Sequence, residues 1–417
     1  MSSNSDYKIV GGSPVRHDGV EKVTGRAAYG ADFSLPGMLY GRVMRSEHAH
    51  ARIKSIDTSA ALALDGVLCA VTGDDFPTVS AEGQAIGEAP ASVRDTAHNV
   101  MARGHARYHG HAIAAVAATS PDIAQQALAL IKVDYEPLPH VTGVMEAVDG
   151  KVIVDEALLT DGEKGSGHTN VAATNLFERG DLEVGFDSAD VVLEREYDSA
   201  TIHQGYIEPH ACVARVIEDG QVLLWVSSQG QFAMRDRSAD VLGIPASKIR
   251  AIPAEIGGGF GGKTTVYLEP VAILMAQKTG RPVKMWMTRE EVFRATGPAP
   301  GSHIRVKMGV TNDGDITAVD SDMWFEAGGY PGSAYGAGMQ ALIAPYDVDT
   351  FRIKGYDVLV NKPKSAAYRA PGAPNASHAT ESLIDELCEH IGMDPLEFRL
   401  RNAARKGTRQ ASGPAYP

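Results

Sequence analysis

Ile256-Gly257-Gly258-Gly259-Phe260-Gly261-Gly262-Lys263 holds five glycines, one aromatic ring and one cation. Consecutive glycines are costly in a helix or strand, because Gly loses the most backbone freedom on folding. They mark a place where the backbone turns with φ > 0 or lies against a ligand. Ala367-Tyr368-Arg369-Ala370-Pro371-Gly372-Ala373-Pro374 is a second loop of this kind, with a single guanidinium in it. Backbone N–H groups in such loops form anion-binding nests, and a following helix N-terminus adds a favourable dipole. An Arg held rigidly suits a phosphate or a carbonyl through its planar fork. Together the two loops suggest amides and one guanidinium gathered around an anionic cofactor. A tight strand-to-helix turn and a surface salt bridge are the plainer readings of each loop alone. Gly257, Gly262, Lys263 and Thr264 also stand in the G-x-x-x-x-G-K-[ST] register of a nucleotide-binding loop. Phe260 inside that loop, and the lack of a strand ending in a convincing metal-binding Asp, argue against a nucleotidase. Gln229 lies just past an expected strand, where a neutral amide could donate to an oxo or carbonyl group, although most such glutamines are merely solvated. His203, Glu208 and His210 invite a metal reading. Their spacing is not H-E-x-x-H and Pro209 breaks any helix, so a hydrogen-bonded structural cluster is preferred.

The elements that must position these residues are legible in outline. A chain of 417 residues predicts two or three domains. Its 44% hydrophobic and 22% charged residues are those of a globular protein, and a net charge of −13 argues against nucleic acid as the main partner. Cys69, Cys212 and Cys388 match no metal spacing and are expected as buried free thiols. The N-terminus has no signal pattern and no apolar run reaches membrane-spanning length, so a cytoplasmic protein is expected. Residues 1–150 predict an extended arm and a first unit: strands over 41–56, 66–72, 112–118 and 131–135, and a helix over 122–130 opened by Ser120-Pro121. Gly- and Asn-rich residues around 155–175 predict a linker, placed at 151–180. Residues 181–417 predict a second unit. Its hairpins turn at Asp219-Gly220 and Asp313-Gly314, a strand covers 249–253, and helices cover 268–278, 376–390 and 395–404. The final residues, 413–417, read as a connector.

Taken in order, these pieces resemble the molybdenum-cofactor-binding subunit of the xanthine oxidase family of molybdenum hydroxylases. Val15-Arg16-His17-Asp18-Gly19-Val20-Glu21-Lys22-Val23-Thr24-Gly25 is similar to the family's start. Arg45-Ser46-Glu47-His48-Ala49-His50-Ala51 and Val133-Asp134-Tyr135-Glu136-Pro137-Leu138-Pro139 resemble its α/β hammerhead domain. The loops at 257–263 and 368–372 resemble two cofactor motifs. The resemblance implies an α+β chain, a hammerhead domain followed by the first molybdopterin-binding domain. It implies that Gln229 hydrogen-bonds an apical oxo ligand, that Gly259, Phe260 and Gly261 pass beside metal and dithiolene, and that Arg369 lies next to metal and pterin. Molybdenum would be held by the pterin dithiolene, with no side-chain ligand.

Departures from the family shape the rest. Its large subunit is usually about twice this long, and the second half carries a further pterin loop and the glutamate that acts as general base. The expectation is a split-subunit enzyme, as in nicotinate dehydrogenase, with a second molybdopterin-binding subunit supplying those parts. Partner subunits would carry [2Fe–2S] clusters and FAD, and the pterin would be a cytosine dinucleotide. Thr264 stands where xanthine-oxidising members have a purine-binding glutamate and Pro371 where they have a stacking phenylalanine, so a purine is not expected. The loop around Arg369 lacks the cysteine of aerobic carbon monoxide dehydrogenases. The implied reaction hydroxylates a carbon of an N-heteroaromatic ring or an aldehyde with water-derived oxygen. A reductive relative resembling 4-hydroxybenzoyl-CoA reductase and a non-catalytic assembly chain are the alternatives.

Overall fold

The computed structural model describes residues 8–79, 91–154 and 170–417. The first seven residues, residues 80–90 and half of the expected linker, residues 155–169, lie outside them. The first 150 residues contribute β1 (Leu39–Arg45), β2 (Ala51–Asp57), β3 (Val67–Thr72), β4 (His105–Ala106), β5 (Ala112–Ala118) and β6 (Lys132–Pro137). The rest contributes β7 (Val171–Arg179), β8 (Val191–Ser199), β9 (Ala211–Val216), β10 (Val222–Val226), β11 (Ile249–Pro253), β12 (Val283–Trp286), β13 (Ser302–Val310), β14 (Ile316–Gly328) and β15 (Phe351–Leu359). With the helices between them, the fold is mixed α+β, as the sequence leads one to expect.

Three sheets form. The order is β11-β10-β9-β12-β1-β5-β3 in a seven-stranded sheet, β7-β15-β14-β13-β8 in a five-stranded one and β4-β2-β6 in a small one. The large sheet joins early and late parts of the chain, because β1 pairs parallel with β12 through Leu39↔Val283. All seven residues of β5, Ala-Ile-Ala-Ala-Val-Ala-Ala, are buried, as a continuous apolar run between two neighbours requires.

Both Asp-Gly hairpins form, β9 with β10 and β13 with β14. Gly220 and Gly314 turn them with φ of 77° and 88°. Ser120 Oγ accepts from Ile123 N, with Pro121 in the first helical turn. The helices Glu269–Thr279 and Ala373–Ile391 end on left-handed Gly280 and Gly392. In the second of these, Ala376, Ala379, Leu383, Ile384 and Leu387 are buried, and this face packs on the five-stranded sheet.

Several details differ from the sequence expectation. The strand expected over 41–56 is two strands, separated where Ser46 Oγ accepts from His48 N and donates to His48 O. The expected last helix stops at Arg401, because Asn402 Nδ2 donates to Gly314 O and Asn402 Oδ1 accepts from Ile316 N. The helices Val93–Val100 and Gln231–Leu242 were not foreseen, and β7 runs through the end of the expected linker.

The fold sets the site at a seam. Gln229 follows β10, the glycine-rich loop links β11 to the helix Glu269–Thr279, and the Arg369 loop leads into Ala373–Ile391.

Candidate cofactor-binding site

The seam brings Gln229, Phe260 and Arg369 together. Gln229 Oε1 accepts from Gly261 N at 2.7 Å and Lys263 N at 3.2 Å, and Gln229 N donates to Lys263 O at 3.0 Å. With the amide oxygen committed to the loop, the N–H groups of the same amide are the polar end presented to the cleft that Gln229 lines. A Cβ at Gly259 would sit 2.6 Å from Gln229 Oε1, so only glycine admits this contact. Gly261 has φ of 106°, and a Cβ there would meet Ala367 O at 2.4 Å. The two loops are stitched together where Arg369 N donates to Phe260 O at 2.8 Å. Gln204 Nε2 anchors the same junction from below, donating to Ala367 O at 2.7 Å and Gly297 O at 3.0 Å.

Among the described residues, two non-glycine positions have positive φ, Phe260 at 52° and Ala370 at 64°. Such a backbone costs roughly 1–3 kcal/mol each and persists where surrounding contacts over-determine it, commonly at ligand sites. Here both positions flank the Phe260–Arg369 bond. Two clefts meet on that junction, one of about 700 Å³ and one of about 520 Å³, and Phe260, Arg369 and Ala370 line both. The larger is also lined by Gln229, Gly261 and Thr264, the smaller by Gln204, Pro371 and His378.

Lys263 bears on the nucleotide-binding-loop register that Phe260 already argues against. The loop's one cation is not turned toward an anionic ligand; its side chain is fully buried, with Nζ 2.7 Å from Glu208 Oε2 and 3.1 Å from Ser227 Oγ. Burial pushes the Lys263 pKa down against the opposing pull of Glu208. Glu208 also accepts from Gly257 N at 2.7 Å, Gly30 N at 3.1 Å and Ser227 Oγ at 2.5 Å. This carboxylate therefore ties the N-terminal arm, the end of β10 and the glycine-rich loop into one body. A nucleotide-binding loop needs its Lys free for phosphate, so the ion pair removes that reading. Of the cluster expected for His203, Glu208 and His210, the two histidines share one hydrogen-bonded network through Thr296 and Tyr206, whose hydroxyls lie 3.0 Å apart, while Glu208 bonds to Lys263, Ser227 and the loop instead. His203 Nε2 meets Thr296 Oγ1 at 2.8 Å and His210 Nε2 meets Tyr206 OH at 2.7 Å. Burial lowers the His203 pKa to about 4 and holds His210 well below its ordinary value, so both rings are neutral at pH 7. Among the described residues, no three His, Cys, Asp or Glu side chains converge as a metal-binding group. Sequence reasoning missed Gln204, which no local motif marks and which becomes a site residue only through contacts made far along the chain.

The profile of the molybdopterin cofactor-binding domain matches residues 165–403, and that of the aldehyde oxidase and xanthine dehydrogenase a/b hammerhead domain matches residues 24–139. The chain belongs to the molybdopterin-binding subunits of the xanthine dehydrogenase family. It is 34% identical over 413 residues to the nicotinate dehydrogenase large molybdopterin subunit of Eubacterium barkeri, covering 98% of this chain and 92% of that one. It is 31% identical over 399 residues to the xanthine dehydrogenase molybdenum-binding subunit of Escherichia coli O157:H7, covering 94% of this chain and 52% of that one. Among solved structures, quinoline 2-oxidoreductase from Pseudomonas putida 86 matches with a TM-score of 0.86 and 28% identity, covering 97% of this chain and 52% of that one. Aldehyde oxidoreductase from Desulfovibrio gigas matches with a TM-score of 0.83 and 29% identity, covering 96% and 44%. Thus the chain is close in length to the first relative and spans about half the length of the others.

The residues present fit a molybdopterin. The loop 257–262 offers a Cβ-free backbone surface, Gln229 an oriented neutral donor and Arg369 a cation on the shared edge of the clefts. Each cleft also has a buried polar atom without a partner, Ser365 Oγ on the larger and Gln204 Oε1 on the smaller.

Proposed function

We propose that this subunit forms one wall of the active site of a multi-subunit molybdenum hydroxylase acting on a carbon of an N-heteroaromatic ring or an aldehyde. The bound molybdenum–pterin, read as the cytosine dinucleotide form, supplies a two-electron oxidation that uses oxygen from water. The chain's own residues orient and enclose. Gln229 donates an N–H from a fixed position, Gly259 and Gly261 allow the backbone to approach closely, the Phe260 ring limits water at the edge, and the Arg369 guanidinium neutralises negative charge. A second molybdopterin-binding subunit would supply the general base, and companion subunits with [2Fe–2S] clusters and FAD would carry the electrons away. The cytoplasm is the expected place of work.

The observation that supports this most is the latch of Gln229 Oε1 onto Gly261 N and Lys263 N, which aims a neutral donor at the cleft without placing charge there. Gln229→Glu tests it, because a carboxylate keeps both acceptor contacts and has no N–H to give. In the assembled enzyme this variant should keep its molybdenum and lose turnover on the order of 100-fold, the scale of removing one oriented donor. Wild-type turnover in Gln229→Glu would remove the assigned role.

A further inference from the structure

Two glutamine amides flank the Phe260–Arg369 junction, and they are used with opposite polarity. Gln229 commits its oxygen to the glycine-rich loop and lines the larger cleft. Gln204 commits its nitrogen, with Nε2 donating to Ala367 O at 2.7 Å and Gly297 O at 3.0 Å. Both N–H groups of that amide are thereby used. Its orientation is fixed, because a flipped amide would set its oxygen against two carbonyl oxygens. What remains is Oε1. Gln204 is 6% exposed and lines the smaller cleft, and Oε1 has no hydrogen-bond partner among the described residues. Gly262 keeps the loop side of this oxygen clear: a Cβ there would lie 3.0 Å from Oε1 and 2.6 Å from the Tyr206 ring. A buried acceptor without a donor is costly, and a ligand donor removes that cost.

The rest of the smaller cleft narrows the kind of donor. Ile202, Ala299, Pro300, Tyr368, Pro371 and Pro374 give it largely apolar walls. No carboxylate lines it among the described residues, and Arg369 stands on the edge shared with the larger cleft. An ammonium ligand would meet a cation and no acid. An oxyanion would meet another acceptor at Gln204. An uncharged N–H on a flat ring suits both Gln204 and the apolar walls, and it leaves Arg369 to donate to a neighbouring carbonyl.

We propose that the smaller cleft is a subsite for a flat, uncharged ring carrying a cyclic amide, with the ring N–H donating to Gln204 Oε1 and the carbonyl facing the Arg369 guanidinium. Gln204 then ties the Ala367 and Gly297 carbonyls with one end of its amide and receives the ligand with the other. A site built to accept an N–H discriminates strongly against an analogue that lacks it, because the buried oxygen would stay unpaired. Two sources share this chemistry: the pterin ring of the cofactor and a small ring entering from solution. The first rests on the hydroxylase reading and the second does not, so the test separates them.

The experiment compares the wild type with Gln204→Lys and Gln204→Glu in the enzyme purified with its partner chains. Lysine keeps donors for the two carbonyls and removes the acceptor; glutamate keeps an acceptor and removes the donors. The probes are α-pyridone, a cyclic amide with an N–H, and its N-methyl derivative, which has none. Binding is read by isothermal titration, with pterin and molybdenum measured on each sample. If a ring from solution fills the subsite, α-pyridone should bind at least about 10-fold tighter than the N-methyl compound. Gln204→Lys should then lose that preference through weaker α-pyridone binding, at wild-type pterin content. If the pterin ring fills it, the two probes should not differ, and Gln204→Lys should lose more pterin than Gln204→Glu. Equal binding of the probes together with wild-type pterin content in Gln204→Lys would overturn the proposal. So would equal binding together with equal pterin loss in the two variants, since the lost acceptor would then not be the cause. A wild-type enzyme that holds neither molybdenum nor pterin and still prefers α-pyridone through Gln204 would count against the hydroxylase reading and support the subsite.

Discussion

Gln229 does two things with one amide. Its oxygen caps two loop N–H groups, and its nitrogen is left to serve a ligand. Gln229→Ala would therefore confound the two, removing a donor and also leaving two amides without an acceptor, at about 1–3 kcal/mol each if they stay dry. Comparing Gln229→Ala with Gln229→Glu separates them: the first should lower both turnover and thermal stability, the second turnover alone. Lys263 carries the complementary lesson. In the sequence it stands at the end of a glycine-rich loop, where a cation reads as a ligand for phosphate, but Glu208 lies 55 residues upstream and nothing local reveals the pairing. Lys263→Met should cost about 3–5 kcal/mol, the scale of leaving one buried partner of an ion pair alone. Denaturant melts check this, and a change below about 1 kcal/mol would mean that Glu208 is solvated.

At the scale of elements, the glycine-rich loop is rigid because its neighbours leave no room. Gly261→Ala forces a Cβ onto Ala367 O at 2.4 Å in a backbone with φ of 106°, a conformation that alone costs roughly 1–3 kcal/mol. The expected outcome is a lower melting temperature together with reduced molybdenum retention, read on the same preparation. Full retention would mean that the loop does not form the cofactor's bed. Elements with local chemistry were legible: the Asp-Gly hairpins, the Ser120-Pro121 helix start, and the Gly280 and Gly392 helix ends all form through contacts within a few residues. The helix Gln231–Leu242 was not: its buried Met234, Ser238, Val241 and Leu242 recur at i, i+4, i+7 and i+8, but Ser238 makes that face partly polar and the exposed Phe232 puts an apolar residue off it. Strand β7 was hidden by Asn175 and the polar residues around it, and it is held by pairing with β15. The resemblance singled out Gln229, Phe260 and Arg369, but the bond from Arg369 N to Phe260 O and those of Gln229 to Gly261 and Lys263 are tertiary facts that a linear pattern does not contain.

Over the whole molecule, the seven-stranded sheet makes the early and late parts of the chain depend on each other. The pairing of β1 with β12 predicts that amides of Leu39–Arg45 and Val283–Trp286 exchange with similar free energies of opening in the assembled enzyme. Clearly separate protection would show that the two parts open independently. Acid should weaken the fold through buried neutral histidines. His111 is fully buried, with Nε2 donating to His98 O and Nδ1 accepting from Arg107 N, and burial pushes its pKa to about 3. Its folded value lies below the unfolded value of about 6.5, so the unfolded chain takes up the proton first. The stabilisation is complete above that unfolded value and is lost as pH falls toward the folded one, at about 1.4 kcal/mol per unit. Melts between pH 7 and pH 5 should show the summed slope of His111 and the other buried histidines, His203 and His210 among them, and His111→Gln, which can keep one donor and one acceptor, should lower it by up to about 1.4 kcal/mol per unit; an unchanged slope would place the effect elsewhere. The central claim, that this subunit walls a molybdenum–pterin site completed by another chain, is tested most directly by composition. The tagged chain is purified from its native host, its companions are identified by mass spectrometry, and molybdenum, pterin and iron are measured on the same sample. The account predicts close to one molybdenum and one pterin per copy, with a companion chain homologous to the second half of the longer relatives. An intact assembly containing neither molybdenum nor pterin would contradict it.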